Sequence, residues 1–143
     1  MERAALQAFM AKSRYGVVSS TAGDGSSQSA LVGIAITPEL EIIFDTVKSS
    51  RKYPNLIARP RCSFVVGWDG EQTIQFEGVA VEPTGEDLKH YQEIYFAAWS
   101  EGRAHMSWPG ITYLVVQPRW IRYSDYDQSP PIIEEMTIAP AHP

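Results

Sequence analysis

Apolar and polar residues alternate along much of the chain with a period of two, which is typical of strands that bury one face. TIQFEGVAVE at 73–82 shows the alternation most clearly. Other runs are rich in β-branched and aromatic residues and end at Gly, Pro or Asp. The pattern predicts six strands, with 119–126 as a candidate seventh: 15–21, 29–36, 40–46, 61–68, 73–82 and 111–118.

Three segments show helical spacing instead. Leu6, Phe9 and Met10 predict a short amphipathic helix over 2–13. A second helix is predicted at 50–58, since a proline is tolerated in the first turn of a helix. A third is predicted to follow Thr84, an N-cap residue type, and to continue through Trp99. Many short strands and few helices predict a mainly β fold, an antiparallel barrel of six or seven strands and not a βαβ sheet.

The bulk composition predicts one domain. The chain has 143 residues and is 44% hydrophobic, and we assign 1–127 to the domain and 128–143 to a proline-rich, loosely ordered tail. No apolar run approaches the roughly 18 residues of a membrane span, and the N-terminus lacks the apolar core of a signal peptide. We therefore expect a cytoplasmic protein with no membrane partner. The single cysteine, Cys62, excludes an intramolecular disulfide and a cysteine-based zinc site.

Charge is distributed unevenly along the sequence. The net charge of -5 disfavours a general polyanion binder. Residues 46–68 nevertheless contain no acidic residue and hold five of the twelve cations: Lys48, Arg51, Lys52, Arg59 and Arg61. Within this segment, FDTVKSSRKYPNL at 44–56 combines cations with small hydroxyl side chains, which is the chemistry that binds a phosphate monoester. A solvated basic helix start with a serine cap is the alternative interpretation.

No other motif predicts a catalytic site. His90, His105 and His142 show no metal-ligand spacing and are predicted to be ordinary surface histidines, and Cys62 is predicted to pack as a small hydrophobe. The sequence contains no P-loop, dinucleotide fingerprint or nucleophile elbow. A phosphate site without a catalytic base or metal indicates that any chemistry belongs to a bound cofactor.

FDTVKSSRKYPNL, the following RPRCSFVV and the strand TIQFEGVAVE together resemble the FMN-binding split barrels of the pyridoxamine 5'-phosphate oxidase family, over about 15–125. The resemblance implies a Greek-key-like split β-barrel and a homodimer with FMN at its interface. It also implies a cofactor site of ten residues. These are Arg51, Lys52 and Ser50 at the FMN phosphate, Asp45 and Thr46 along the ribityl and phosphate path, backbone of Ser29, Ala30 and Leu31 along the isoalloxazine edge, Thr73 where the family often has a flavin-contacting glutamine, and Trp108 as the candidate to reach the partner's flavin.

Aromatic residues crowd the last third of the chain, more than the interior of a small barrel easily holds. This is consistent with a dimer surface, although for any single aromatic residue a place in the core is the better interpretation. The resemblance has one clear departure. The family's vitamin B6 oxidases carry an Arg-x-His constellation near the C-terminus, whereas this chain has no arginine after Arg122, so vitamin B6 oxidation is not expected.

The resemblance therefore implies an FMN-dependent oxidoreductase that acts on an unidentified small-molecule redox substrate. Alternatives on the same fold are a deazaflavin cofactor bound by the same cations, a flavin-binding or stress-related protein without turnover, and a haem protein, for which the tail residue His142 is a poor ligand candidate. Outside the family, a small barrel could bind single-stranded nucleic acid by stacking bases on Tyr53 and Phe64. The net charge disfavours this last alternative.

Overall fold

In the computed structural model, which describes residues 1–140, the chain forms one curled antiparallel sheet of eight strands. The strands are β1 (Tyr15–Thr21), β2 (Ser27–Gly33), β3 (Ala35–Ile36), β4 (Ile42–Val47), β5 (Arg61–Val66), β6 (Gln72–Val81), β7 (Ile111–Asp125) and β8 (Ile132–Thr137). The helices are α1 (Arg3–Ala11), α2 (Lys52–Ala58) and α3 (Gly85–Ala98), and a 3₁₀ segment follows at Ser100–Ser107. The predicted mainly β, antiparallel split-barrel fold is confirmed. Within the described part of the chain, no helix has the length and apolar character needed to cross a membrane.

The sheet has the order β2-β1-β5-β6-β7-β4-β3, and β8 pairs with the second half of β7. β7 is one long strand that pairs with β6 continuously from Val115 to Asp125, so the predicted break into two strands at Pro118 is wrong. The strand continues because Pro118 lies at a β-bulge. Glu77 pairs with Trp120 and Gly78 pairs with Pro118, so the ladder there does not depend on an amide hydrogen that proline lacks.

Residues 132–137 form β8, although composition placed them in a loosely ordered tail. They pair with 120–125 of β7. Ile132 and Ile133 remain exposed, so this strand depends on its backbone pairing more than on a buried face. An alternation signal arises only where one face is buried, which is why the sequence pattern did not indicate this strand. His142 lies outside the described residues.

The side chains of the sheet pack in two hydrophobic layers, one on each face. The barrel interior holds the larger cluster, and α1 closes one of its ends with the buried residues Leu6 and Met10. Cys62 belongs to this interior, as predicted, and burial raises the pKa of its thiol to about 12. Phe64 is also buried there, so it is not accessible for the base stacking that a nucleic-acid site would need.

The second layer lies between the outer face of the sheet and α3. Tyr95 and Phe96 of α3 each form an edge-to-face ring contact with Tyr113 of β7, and a third such contact joins Tyr95 to Phe96. Much of the aromatic content of the last third is therefore core, and the expectation that it supplies a dimer surface is wrong for these residues. Trp108 and Tyr126 do remain half exposed.

Gly78 provides a test of the bulge that lets β7 continue through Pro118. A Cβ atom at this position would lie 2.4 Å from the carbonyl oxygen of Gln117, and backbone cannot easily move away. We expect Gly78→Ala to lower the free energy of unfolding by about 1–3 kcal/mol through overpacking, measured by urea denaturation. Gly23→Ala is the control, since a Cβ there meets no atom within 4 Å. Equal urea midpoints for the two variants would contradict the close packing at the bulge.

Candidate functional site

The turn between β4 and α2 gathers the hydroxyl groups of the basic segment. Thr46 lies at the end of β4, and its Oγ1 is 3.0 Å from Oγ of Ser50. The amide of Ser50 donates to the carbonyl of Val47 at 2.9 Å, which closes the turn. α2 begins at Lys52, two residues later than predicted, and is only seven residues long. Recognition of an anion here therefore depends on side chains more than on a helix terminus.

A buried amide fixes α2 to the barrel. Asn55, which is 7% exposed, donates from Nδ2 to Oγ of Ser20 at 3.1 Å and to Oε1 of Gln28 at 2.9 Å. Ser20 lies at the end of β1 and Gln28 at the start of β2. Asn55 of FDTVKSSRKYPNL is therefore a structural residue, because its amide joins the helix to two strands.

A second polar contact holds the other side of α2. The hydroxyl of Tyr53 donates to Oε1 of Glu82 at 2.9 Å, and the hydroxyl of Thr112 donates to the second carboxylate oxygen. The hydrogen bond to Glu82 raises the pKa of Tyr53. Glu82 follows β6 and Thr112 lies near the start of β7. α2 thus packs across the barrel end opposite α1, fixed at both sides by buried or half-buried polar groups.

Beside α2 lies a cavity of about 180 Å³, which we call the basic pocket. Its lining residues come from β1, β2 and the start of α2: Val18, Ser20, Gln28, Ser29, Ala30, Arg51 and Lys52. Burial lowers the pKa of Lys52, an effect opposed in part by the charge of Asp45. Neither Arg51 nor Lys52 forms an ion pair with any residue of 1–140. The pocket therefore combines two cations that have no ion-pair contact within residues 1–140 with nearby hydroxyl groups, as a phosphate site requires.

The structure brings together only part of the predicted cofactor site. Ser29, Ala30, Arg51 and Lys52 line the basic pocket, and the Thr46–Ser50 hydroxyl pair lies on the turn that leads into it. Four predicted residues lie elsewhere. Asp45 faces away from Thr46, and Leu31 points outward with 62% exposure. Thr73 pairs with Ser124 near the start of β6, far along that strand from Glu82 and α2. Trp108 lies in the loop after the 3₁₀ segment.

Asp45 instead belongs to a second polar cluster under α3. The hydroxyl of Tyr95 donates to its Oδ1 at 3.1 Å, and Nδ1 of His105 lies 3.5 Å from its Oδ2. The ring of His105 stacks on that of Trp108 at 3.8 Å between centroids and 22° between planes. The sequence predicted an ordinary surface histidine at 105. No spacing signal could have found this contact, because Asp45 and His105 are far apart in the chain.

Comparison with known proteins identifies the family. The family model described as pyridoxamine 5'-phosphate oxidase matches residues 3–125. The chain belongs to this family. No curated protein matches the sequence.

Several solved structures have the same fold as this chain. A heme binding protein from Mycobacterium smegmatis superposes with a TM-score of 0.80 at 15% identity, over 96% of this chain and 58% of its own. The present chain thus spans little more than half of that protein. A conserved hypothetical protein from Mycobacterium tuberculosis gives 0.74 at 21% identity, over 99% and 94% of the two chains. A pyridoxamine 5'-phosphate oxidase-related, FMN binding protein from Nostoc punctiforme gives 0.67 at 12% identity, over 96% and 93%. At these low sequence identities, the similarity shows that the proteins share a fold.

Asn55 provides a test of how α2 is held. Asn55→Leu keeps the branched shape of the side chain and removes the donor to Ser20 and Gln28, which leaves their oxygens unpaired beside the helix. We expect the free energy of unfolding to fall by about 1–3 kcal/mol, measured by urea denaturation. Gln75→Leu on the exposed face of β6 is the control, with an expected change within about 0.5 kcal/mol. An Asn55→Leu protein as stable as this control would show that the amide does not anchor the helix.

Proposed function

We propose that the protein binds FMN, with the phosphate in the basic pocket, and that it acts as a flavin-dependent oxidoreductase. One observation carries the proposal. Arg51 and Lys52 lie together beside the Thr46–Ser50 hydroxyl pair, and neither cation forms an ion pair within residues 1–140. A structure of the same fold is described as FMN binding. When bound, FMN supplies hydride and electron transfer, and the residues of this chain hold and orient its phosphate.

The residues present fit the phosphate part of FMN. Guanidinium and ammonium groups with neighbouring hydroxyls are a donor set for a phosphate monoester. The basic pocket, at about 180 Å³, is smaller than the roughly 300–1,000 Å³ of typical cofactor sites. The rest of the cofactor therefore needs a second surface, which a partner subunit would complete.

We infer that a second copy of the chain supplies this surface. α3 covers the outer face of β4 and the first part of β7, and Trp99 covers Tyr15 and Gly33 at one end of β1 and β2. Farther along the outer face of β2, β1 and β5, apolar side chains remain exposed. Leu31, Val17 and Val65 are cross-strand neighbours on that face, and Leu31 and Val65 are exposed. This uncovered apolar row adjoins Ser29 and Ala30 of the basic pocket. A homodimer through this face would bury the row and place partner residues beside the cofactor.

Vitamin B6 is not proposed as the substrate. Arg122, the last arginine of the chain, is already paired with Glu135 of β8 at 2.9 Å. Glu134, which precedes Glu135 on β8, is itself paired with the amino group of Met1. A second phosphate would meet carboxylates in this region and not free cations.

The phosphate assignment is tested by Arg51→Ala/Lys52→Ala. Each charge-assisted contact is worth roughly 1.5–3 kcal/mol, so we expect FMN affinity to fall at least tenfold in a titration followed by flavin fluorescence. Lys89→Ala/Arg103→Ala removes the same charge from exposed positions on α3 and the 3₁₀ segment and is expected to bind FMN with wild-type affinity. Unchanged affinity in the Arg51/Lys52 variant would overturn the assignment.

The dimer is tested by Val65→Glu. A carboxylate in the uncovered row would be buried without a counter-ion in the dimer, so we expect dissociation to monomers by light scattering at micromolar concentration. Ile57→Glu on α2, a similarly exposed apolar residue, should leave the oligomeric state unchanged. A Val65→Glu protein that remains dimeric would move the interface to another face.

A second candidate function is haem binding. A structure of the same fold is described as a heme binding protein, and His105 offers a partly exposed imidazole with Nδ1 directed at Asp45. The absorption spectrum of the purified protein separates the candidates, because haem gives a Soret band and FMN gives flavin bands. A deazaflavin would use the same cations, and it is indicated if the protein ignores FMN and takes up the deazaflavin stoichiometrically.

A further inference from the structure

Four side chains under the end of α3 form an ordered cluster outside the basic pocket. Asp45 of β4 receives the Tyr95 hydroxyl at Oδ1, and its Oδ2 faces Nδ1 of His105 at 3.5 Å. Trp108 stacks on the other side of the imidazole. The imidazole is thus oriented by a carboxylate at one nitrogen and by an aromatic face, and its Nε2 has no hydrogen bond to any of residues 1–140.

The protonation of the surrounding groups suits this arrangement. Burial raises the pKa of Tyr95, and the charge of Asp45 raises it further, so the phenol stays protonated and donates to Asp45. Burial also raises the pKa of Tyr113, which faces Asp45 from β7. Glu101 lies near His105 on the 3₁₀ segment and is paired with Arg14 at 3.2 Å. Oδ2 of Asp45 is buried without a hydrogen bond from any of residues 1–140. His105, at 3.5 Å, is therefore the group positioned to compensate the negative charge of Asp45 when its imidazole is protonated.

The cluster is adjacent to the proposed cofactor site. Asp45 precedes Thr46, and its charge acts on Lys52 in the basic pocket. The Tyr95 hydroxyl is also 3.5 Å from the carbonyl of Gly33, two residues after Leu31 on β2. The loop that carries Trp108 returns to the turn before α2, where the amide of Lys48 donates to the carbonyl of Gly110 at 2.8 Å. His105 is 32% exposed, so a substrate can reach it.

We propose that His105 exchanges a proton with the redox substrate, with Asp45 and Trp108 as positioning residues. The inference rests on the proposed flavin function and deepens it, because it assigns substrates that carry an ionisable O–H or N–H group, such as hydroquinones. In the oxidative direction, Nε2 accepts one proton, the electron pair of the broken bond stays on the substrate oxygen or nitrogen, and the substrate loses its two electrons and second proton to the flavin as a hydride equivalent. In the reductive direction, Nε2 returns the proton to that atom. Proton transfer by a placed side chain typically contributes 10²–10⁴-fold to a rate.

The test uses full-length protein loaded with FMN, reduced with light and EDTA, and mixed anaerobically with 1,4-naphthoquinone. Formation of the hydroquinone takes one hydride equivalent from the reduced flavin and one proton from the protein. We expect His105→Ala and Asp45→Asn to slow flavin reoxidation at least tenfold, with FMN affinity within threefold of wild type. Added imidazole should restore at least a third of the lost rate in His105→Ala. His90→Ala, on the exposed face of α3, is the matched control and should react like wild type.

The outcomes separate the two proposals. Tight FMN binding with wild-type reoxidation in His105→Ala overturns the proton role and leaves the flavin proposal intact. Failure of the wild-type protein to bind FMN overturns both. A second measurement needs no variant. Bound FMN should protect His105 at least fivefold from diethyl pyrocarbonate, read by mass spectrometry against His90, and equal modification with and without FMN would show that His105 does not face the cofactor.

Discussion

The pleat of β4 decides what the candidate site can contain. Adjacent residues of a strand point to opposite faces, so Thr46 turns toward the barrel and Ser50, while Asp45 turns toward α3 and His105. The end of β4 therefore contributes to two different sites. On the inner face, Thr46 lies beside cations and hydroxyl groups, and on the outer face, Asp45 supplies a carboxylate. A shift of one residue in the pairing of β4 with β7 would exchange the two and place a negative charge beside the phosphate pocket. The register of this pair is thus a requirement of the chemistry as well as of the fold.

The position of α2 depends on polar contacts with the ends of neighbouring strands. A seven-residue helix has little stability of its own, and here Asn55 and Tyr53 supply specific contacts at its two sides. Their partners are Ser20 of β1, Gln28 of β2 and Glu82 directly after β6, so these contacts restrict the helix through satisfied polar groups. Arg51 and Lys52 follow directly from the turn that α2 fixes. A pocket held in this way before the ligand arrives loses less conformational entropy on binding.

The sequence was informative wherever the physical cause is local. Alternation predicted the strands, and the dense mixture of cations and hydroxyls at 44–56 predicted a pocket that the structure forms from Arg51 and Lys52. The same alternation indicates that Asp45 and Thr46 point to opposite faces of β4, as the structure has them. The role of these two residues along the ribityl and phosphate path stays a prediction. The bulge at Pro118, the pairing of β8 and the Asp45–His105 contact are different, because each depends on residues distant in the chain. Periodicity carries no information about such contacts.

The basic pocket also explains how an acidic protein can hold an anion. A net charge of -5 acts at long range and is screened by salt, whereas the cations of 46–68 act at contact distance. Burial lowers the pKa of Lys52, which means that folding disfavours its charged form. Since its folded pKa is below the unfolded value, the resulting loss of stability is present at neutral pH and disappears only as pH rises above the unfolded pKa. A bound phosphate would favour the charged form and offset this loss. In the free protein, the buried charge of Lys52 therefore lowers the stability of the fold at the position where the ligand is expected. Such a loss of stability at a binding site is common in proteins.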